Sequence, residues 1–488
     1  MGSSYSQAIS EAKEKDGTDF ALEDQKVKNK EAPALVKKLN EELPRLQVLE
    51  VKCKLKAVPA TISCLRGLEV LRLSTNKLTA VPVELAQLPL LEELDLAGNA
   101  FHKFPLELGK APALSTLSLG MNQLQAIPNI PDGHFAALTA LILEKNEFAE
   151  FPRQVGSFHS LRILNLNENK LTSLPSSDLC LSSLRELHLC GNQLTAIPPS
   201  IGKLHSLVHL DVSENRLTSL PTEICGLRLL ATLEAQHNLI TEMSAALCSL
   251  ESLVILKLND NQITVIPGAI ETMLSLSELH LKENQIKEIP KEIAKCVNLS
   301  KIYLEFNQLS SLPEEISDLK RLVTLILHNN NISVLPACIS SMTNLLRLSL
   351  APNPLDARTL DIIATQGALA LVHREVGEVI SEDDKRFNSF KRKSMRHGMT
   401  ATTGGTTSMA MMRSSSFGGS KVAGQFIWII EAFLLTLSEQ LRIRMLPFQR
   451  RWTTSRRRRQ RLKKPRPCLA SPPSSHPLTR FSYVMFLW

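Results

Sequence analysis

Residues 161–175 read LRILNLNENKLTSLP, and this stretch carries the pattern that decides the fold. Leu161, Leu164 and Leu166 stand eight, five and three residues before Asn169, and a proline stands six residues after it. Leucines two residues apart lie on the same face of a β-strand. Proline has no N–H to donate and a fixed φ, which suits an irregular segment. The stretch therefore predicts a short strand, a turn at the asparagine and an irregular return segment.

The same pattern recurs along most of the chain. The asparagine returns at thirteen positions, 23 residues apart except for one interval of 24. These positions are Asn76, Asn99, Asn122, Asn146, Asn169, Asn192, Asn215, Asn238, Asn261, Asn284, Asn307, Asn330 and Asn353. The proline follows in eleven units, and Ser244 replaces it in one. A sustained period of this length is typical of a solenoid of stacked units.

The columns of this repeat predict the architecture. We expect thirteen parallel strands, stacked at about 4.8 Å into a sheet about 60 Å long. Each asparagine amide should bond to backbone groups of its own and the neighbouring unit, where a lost buried partner costs about 1–3 kcal/mol. The return segments are bulkier than the strands, so the stack should curve. The predicted fold is an α/β solenoid, a horseshoe with a parallel concave sheet, helical caps and a disordered basic C-terminal tail.

Composition divides the chain into four segments. Residues 1–33 are predicted to be a flexible leader, and residues 34–375 to form the repeat domain of about 13–14 units with caps. Residues 376–424 have the Ser, Thr, Gly and Met content of a linker, and residues 425–488 form a basic low-complexity tail. The tail carries a net charge of +11, which leaves −3 for the other 424 residues. A slightly acidic body argues against nucleic-acid binding. Mis-predicted coding sequence is an alternative source of the last 60 or so residues.

Both ends of the repeat domain should be capped, because a solenoid otherwise exposes its core. Residues 34–43 are predicted to form an amphipathic helix, with Leu35 and Leu39 on one face. Residues 46–59 resemble a degenerate first unit, with Cys53 near the asparagine position. One or two short helices are expected to close the other end, after Asn353.

The first six residues, MGSSYS, match the N-myristoylation pattern with Gly2 as the acceptor. The alternative is an ordinary disordered N-terminus. A single myristoyl chain binds a membrane only weakly, so the basic tail would supply the second contact. No secretory signal is visible, and the longest apolar run, residues 426–437, is shorter than the roughly 20 residues that a membrane span needs. The expected location is cytoplasmic, with peripheral membrane association.

The strand residues that alternate with the core leucines should form the concave surface, where a partner protein would bind. The candidate binding residues on it are His188, Asp211, Glu234, Lys257, His280, Tyr303 and Phe306. Tyr303 and Phe306 are predicted to be an exposed aromatic pair that anchors the partner, because tyrosine is enriched at binding hot spots. The alternative for each residue is a solvated strand position without a role in binding.

Neither metal binding nor catalysis is expected. Five histidines fall on or near the concave face, His188, His209, His237, His280 and His328. Most of them do not share a column in adjacent repeats, so they are predicted to be solvated, since metal sites need three or four converging ligands. No phosphate-binding loop, nucleophile elbow or kinase motif occurs. We therefore predict no cofactor and no enzyme activity. A ubiquitin-ligase alternative would rest on Cys468 alone.

The unit resembles a known family. The motifs LPTEI at residues 220–224 and LPEEI at residues 312–316, and the cap residues NPL at 353–355 and QGAL at 366–369, carry this resemblance. They resemble intracellular leucine-rich repeat proteins related to Ras-binding scaffolds, including the Ras suppressor and the plant intracellular Ras-group proteins. The resemblance covers roughly residues 45–375.

This resemblance implies a non-enzymatic interaction scaffold of intracellular signalling. Its partner would be a small GTPase or a protein phosphatase catalytic subunit, and a regulatory subunit of a phosphatase is the alternative function. The docking motif used with type-1 phosphatases, a basic residue followed by Val or Ile, any residue, and Phe or Trp, is absent from the sequence.

Overall fold

A computed structural model describes residues 6–14, 16–23, 30–177, 179–366 and 368–371. Within them, fifteen strands form one parallel sheet in the order of the chain. The strands are β1 (Asp19–Glu23), β2 (Val48–Lys52), β3 (Val70–Arg72), β4 (Glu93–Asp95), β5 (Thr116–Ser118), β6 (Ala140–Ile142), β7 (Ile163–Asn165), β8 (Glu186–His188), β9 (His209–Asp211), β10 (Thr232–Glu234), β11 (Ile255–Lys257), β12 (Glu278–His280), β13 (Lys301–Tyr303), β14 (Thr324–Ile326) and β15 (Arg347–Ser349). The predicted parallel solenoid is confirmed.

Short 3-10 helices follow Pro59 and nine of the eleven repeat prolines. They span Ala60–Cys64, Val83–Gln87, Leu106–Lys110, Arg153–Ser157, Pro199–Lys203, Thr222–Gly226, Gly268–Thr272, Lys291–Lys295, Glu314–Asp318 and Ala337–Ser341. The residue before each of them is a proline, which needs no partner for an N–H. Ser244 instead accepts a hydrogen bond from the N–H of Leu247 and begins a short α-helix, α3 (Ala245–Cys248). A serine at this place can therefore start a helix by capping it.

The core lies between the sheet and these helices. In the three-residue strands β3 to β15 the middle residue faces it, as Leu233 does in β10, while its neighbours Thr232 and Glu234 stay half-exposed on the other side. The leucines that define the repeat, such as Leu164 and Leu166, are fully buried. Stacked units thus share one continuous apolar core, which is why no unit needs a core of its own.

The conserved spacing of the asparagines has a direct structural counterpart, a ladder along the stack. The Oδ1 of Asn215 accepts a hydrogen bond from the N–H of Leu194 at 3.0 Å. Its Nδ2 donates to the carbonyl of Leu189 at 2.9 Å and to that of Val212 at 3.1 Å. Leu189 and Leu194 belong to the preceding unit, so each buried amide links two units. The other repeat asparagines are buried in the same way.

The turn before each asparagine adopts an unusual backbone conformation. The residue directly preceding it has a positive φ in twelve units, from Thr75 at 57° to Asn329 at 54°. Glycine takes this place in two of them and other residue types in the rest. Because left-handed φ costs a non-glycine residue some stability, the repeated turn depends on the hydrogen bonds of the asparagine ladder.

The N-terminal segment corrects the prediction of a flexible leader over residues 1–33. Within it lie α1 (Ser6–Glu14) and β1, and β1 pairs with β2 so that Phe20 stands beside Leu49. Phe20 and Leu22 are almost fully buried. An uncovered edge strand exposes unpaired N–H and C=O groups, and β1 covers the edge of β2. With β1 and β2, the sheet has fifteen strands instead of the thirteen expected.

Helices stand at both ends, where caps were predicted. The predicted helix over residues 34–43 corresponds to α2 (Ala32–Glu42). The degenerate first unit contains β2, and the N–H of Cys53 donates to the Oδ1 of Asn76 at 3.0 Å. At the other end, α4 (Ala357–Gln366) is followed by a 3-10 helix over Ala368–Leu371.

Several predicted features lie outside the described residues. They are Gly2, the linker at 376–424, the apolar run at 426–437 and the basic tail at 425–488. Within the described ranges, no helix combines the length and apolar character needed to cross a bilayer.

Candidate functional site

The outward side chains of β8 to β13 form a continuous row on the sheet. Strand register places the last residue of each strand beside the last residue of the next. The concave row defined in this way consists of His188, Asp211, Glu234, Lys257, His280 and Tyr303. Six of the seven predicted binding residues therefore stand side by side, over about 24 Å at the usual strand spacing.

Phe306, the seventh candidate, lies outside the concave row. It follows β13 in the left-handed turn, with φ of 57° and 40% of its surface exposed. Its ring packs edge-on against His328, with centroids 5.5 Å apart, and Lys282 Nζ is 5.8 Å from its centroid. The expected pair of Tyr303 and Phe306 on the sheet is therefore wrong, because the turn carries Phe306 off the strand.

Glu234 connects the middle of the concave row. Its carboxylate lies 3.4 Å from His209 Nε2 and 3.2 Å from Lys257 Nζ, and it accepts a hydrogen bond from Gln236 Nε2 at 3.2 Å. Burial would raise the pKa of Glu234, but the contact with His209 and the charge of Lys257 outweigh it and hold the pKa at about 2. The carboxylate is thus ionised throughout the physiological range.

A second cluster surrounds His280. Its ring stacks on Tyr303 with centroids 4.4 Å apart and planes 18° from parallel. Glu278 lies 3.2 Å from His280 Nε2 and 2.7 Å from Lys301 Nζ. Burial lowers the pKa of His280, although Glu278 opposes the shift. Tyr303 is therefore held flat against a mostly neutral imidazole, which fixes its orientation before any partner binds.

Glu305 is a buried carboxyl beside this cluster, and only 9% of the residue is exposed. Its Oε2 has no hydrogen-bond partner among the described residues. Burial raises the pKa of Glu305 to about 7, despite the nearby charges of Lys282 and Arg347. Burial also lowers the pKa of the neighbouring His328 to about 4. The site thus contains an acid that is partly protonated at neutral pH.

Several residues of this site were not among the seven predicted binding residues, although His209 was expected on or near the concave face. They are Glu186, His209, Glu278, Lys301 and Glu305, which occupy outward columns on either side of the concave row. The repeat spacing marks those columns, and it could have identified these residues. His188 and His209 occupy different columns of adjacent repeats, yet their rings lie 4.9 Å apart, edge to face.

Comparisons with known proteins agree with this geometry. A family model described as leucine-rich repeat matches residues 182–240 and 251–309. A solved leucine-rich repeat protein of Leptospira interrogans is 33% identical, with a TM-score of 0.66, over 74% of this chain and 97% of that one. A comparison with curated proteins gives no significant match.

Two further solved structures are similar over a smaller part of this chain and at lower sequence identity than the Leptospira protein. A plant peptide hormone receptor, RGFR1, solved in complex with RGF2, is 27% identical with a TM-score of 0.52, over 65% of this chain and 57% of the receptor. An internalin of Listeria monocytogenes is 23% identical with a TM-score of 0.55, over 66% of this chain and 94% of the internalin. This similarity shows the shared fold alone. From the extent of the Leptospira match, together with the asparagine ladder, we conclude that the chain belongs to the leucine-rich repeat family.

Proposed function

We propose that this protein is an interaction scaffold of intracellular signalling that binds a partner protein on its concave face. Leucine-rich repeat proteins generally act in protein–protein interaction, and the plant receptor above is solved with RGF2 bound. The observation that carries the proposal is the concave row itself. It presents charged, imidazole and aromatic side chains on six adjacent strands, already oriented by contacts with one another.

The shape of this surface favours a protein over a small molecule. Small-molecule sites are concave pockets that enclose most of their ligand, whereas the concave row extends over about 24 Å of sheet. Tyr303 is the best candidate for a hot spot, since tyrosine is enriched there and here its ring is pre-oriented. Glu234 supplies a fixed negative charge for a basic group of the partner.

The proposed partner is a small GTPase, and the competing possibility is a phosphatase catalytic subunit. A binding assay with the purified full-length chain distinguishes these two partners. It tests a Ras-type GTPase loaded with a GTP analogue or with GDP, and the phosphatase catalytic subunit in parallel. We expect the GTP-loaded form to bind. Binding of the phosphatase alone, with a change in its catalytic rate, would support the regulatory-subunit function instead.

Tyr303→Ala and Glu234→Gln should each weaken this binding about tenfold or more, as expected for hot-spot residues. The matched control is Glu315→Gln, an exposed carboxylate in a 3-10 helix outside the sheet, which should leave the dissociation constant unchanged. Equal affinity of all three variants and the wild type would refute the concave site, even if a partner is confirmed.

We also propose that Gly2 is myristoylated and that the basic tail assists membrane attachment. A single acyl chain binds marginally and needs a second contact. Gly2→Ala should move the protein from the membrane fraction to the soluble fraction of cells, and removal of residues 425–488 should do so in part. Identical fractionation of wild type and Gly2→Ala would show that no such tether operates.

A further inference from the structure

The tripeptide Glu-Leu-His occurs twice on the sheet, as β8 (Glu186–His188) and as β12 (Glu278–His280). In both strands the leucine faces the core, and the glutamate and histidine lie together on the concave side. The carboxylate oxygen and the histidine Nε2 are 3.4 Å apart in β8 and 3.2 Å apart in β12. The two strands thus present the same pair of donors in nearly the same geometry.

The two Glu-Leu-His strands differ in the residue that the next strand places beside the glutamate. Register sets Lys301 beside Glu278, and its ammonium lies 2.7 Å from the carboxylate. Register sets His209 beside Glu186, so an imidazole stands where the second site has an ammonium. One donor atom each from Glu186, His188 and His209 lies within 4.8 Å of the other two. This is the one such group of three within the described ranges.

We propose that Glu186, His188 and His209 bind a zinc ion on the concave face. Zinc in proteins takes histidine nitrogens and carboxylate oxygens at about 2.0–2.2 Å in a tetrahedron, so its ligands stand about 3.3–3.5 Å apart. Glu186 and His188 already have this separation, at 3.4 Å. His209 lies no more than 4.8 Å from these two donor atoms, and rotation of its side chain can bring it closer. Two histidines and one carboxylate leave the fourth position open for water or for a donor from a bound molecule.

Surrounding charge and rigidity favour this site. Two further carboxylates flank it, Asp211 beside His188 in the register and Glu234 at 3.4 Å from His209 Nε2. That Nε2 is buried and has no well-directed hydrogen bond. Because all three ligands stand on neighbouring strands of one sheet, their backbone positions are fixed, as a precise metal site requires. The site does not depend on the proposed protein partner, and it can be tested without one.

Titration of the metal-free full-length chain with zinc chloride, followed by calorimetry, tests the proposal directly. We expect the wild type to bind zinc at one strong site. His188→Ala and His209→Ala should each weaken the affinity by more than about 10–100-fold, the loss typical of removing a residue that only contacts a ligand. His209→Lys reproduces the residue found beside the second tripeptide, and it should abolish the site. Cobalt chloride should give the visible absorption of tetrahedral cobalt in wild type but not in His209→Lys.

His159→Ala serves as the matched control, because it removes an exposed histidine outside the strands. It should bind zinc as wild type does, and circular dichroism should show that every variant keeps its fold. Absence of strong zinc binding by wild type would overturn the proposal. So would zinc binding of His209→Lys with wild-type affinity, since that outcome would move the metal to another part of the chain.

Discussion

Asn215→Ala is expected to lower the free energy of unfolding by about 2–4 kcal/mol. The change removes the acceptor for the buried N–H of Leu194 and the donor to the carbonyls of Leu189, Val212 and Ser213. These carbonyls keep other donors, whereas among the described residues the N–H of Leu194 keeps none. One unsatisfied buried donor costs about 1–3 kcal/mol, and each further lost hydrogen bond adds up to about 1 kcal/mol. Urea denaturation followed by circular dichroism measures the effect.

Asn344→Ala is the matched control for this substitution. Asn344 is exposed and its Nδ2 donates to the carbonyl of Lys320 at 2.7 Å. Its loss should cost less than about 1 kcal/mol, since water replaces the missing partner. An equal effect of the two substitutions would mean that the asparagine ladder stabilises the stack no more than a surface hydrogen bond does.

Glu305→Gln is expected to stabilise the protein increasingly as the pH rises. The folded pKa of Glu305 is raised to about 7 by burial, whereas an unfolded glutamate titrates near about 4.3. Between these values the folded state binds more protons than the unfolded state, so wild-type stability falls with rising pH. Above about pH 7 the carboxylate is ionised in both the folded and the unfolded state, and the cost of burying its charge then lowers the stability of the folded protein in full. Glutamine carries no such charge, so its advantage over wild type should grow by about 2–3 kcal/mol from pH 5 to pH 8.

Thermal or urea denaturation of both proteins at pH 5 and pH 8 measures this difference. Other titrating groups, including His328, are common to the two proteins and largely cancel in the comparison. Glu315→Gln removes an exposed carboxyl and is the matched control for the loss of one surface charge. A constant difference between Glu305→Gln and wild type would mean that Glu305 ionises at an ordinary pKa in the folded protein.

The concave site could be predicted only in part from the sequence. The repeat spacing correctly brings His188 to Tyr303 into one row, because a parallel register follows from equal units. It does not show which of these side chains contact each other. His209 reaches the carboxylate of Glu234 on the next strand, and His280 stacks on Tyr303. Such pairs depend on side-chain rotamers across strands, which are not periodic.

The spacing of leucines, asparagines and prolines was sufficient to predict the parallel sheet and the buried amides, because each unit repeats the same local hydrogen bonds. The cap strand β1 carries no repeat pattern, and its place follows from Phe20 and Leu22 covering the edge of β2. Likewise, Phe306 lies in the turn and not in the sheet, because the residue before Asn307 adopts a left-handed backbone conformation. The raised pKa of Glu305 arises from burial by neighbouring units, which are far away in sequence. Periodic contacts can be read along the chain, whereas edges, rotamers and burial depend on packing between distant residues.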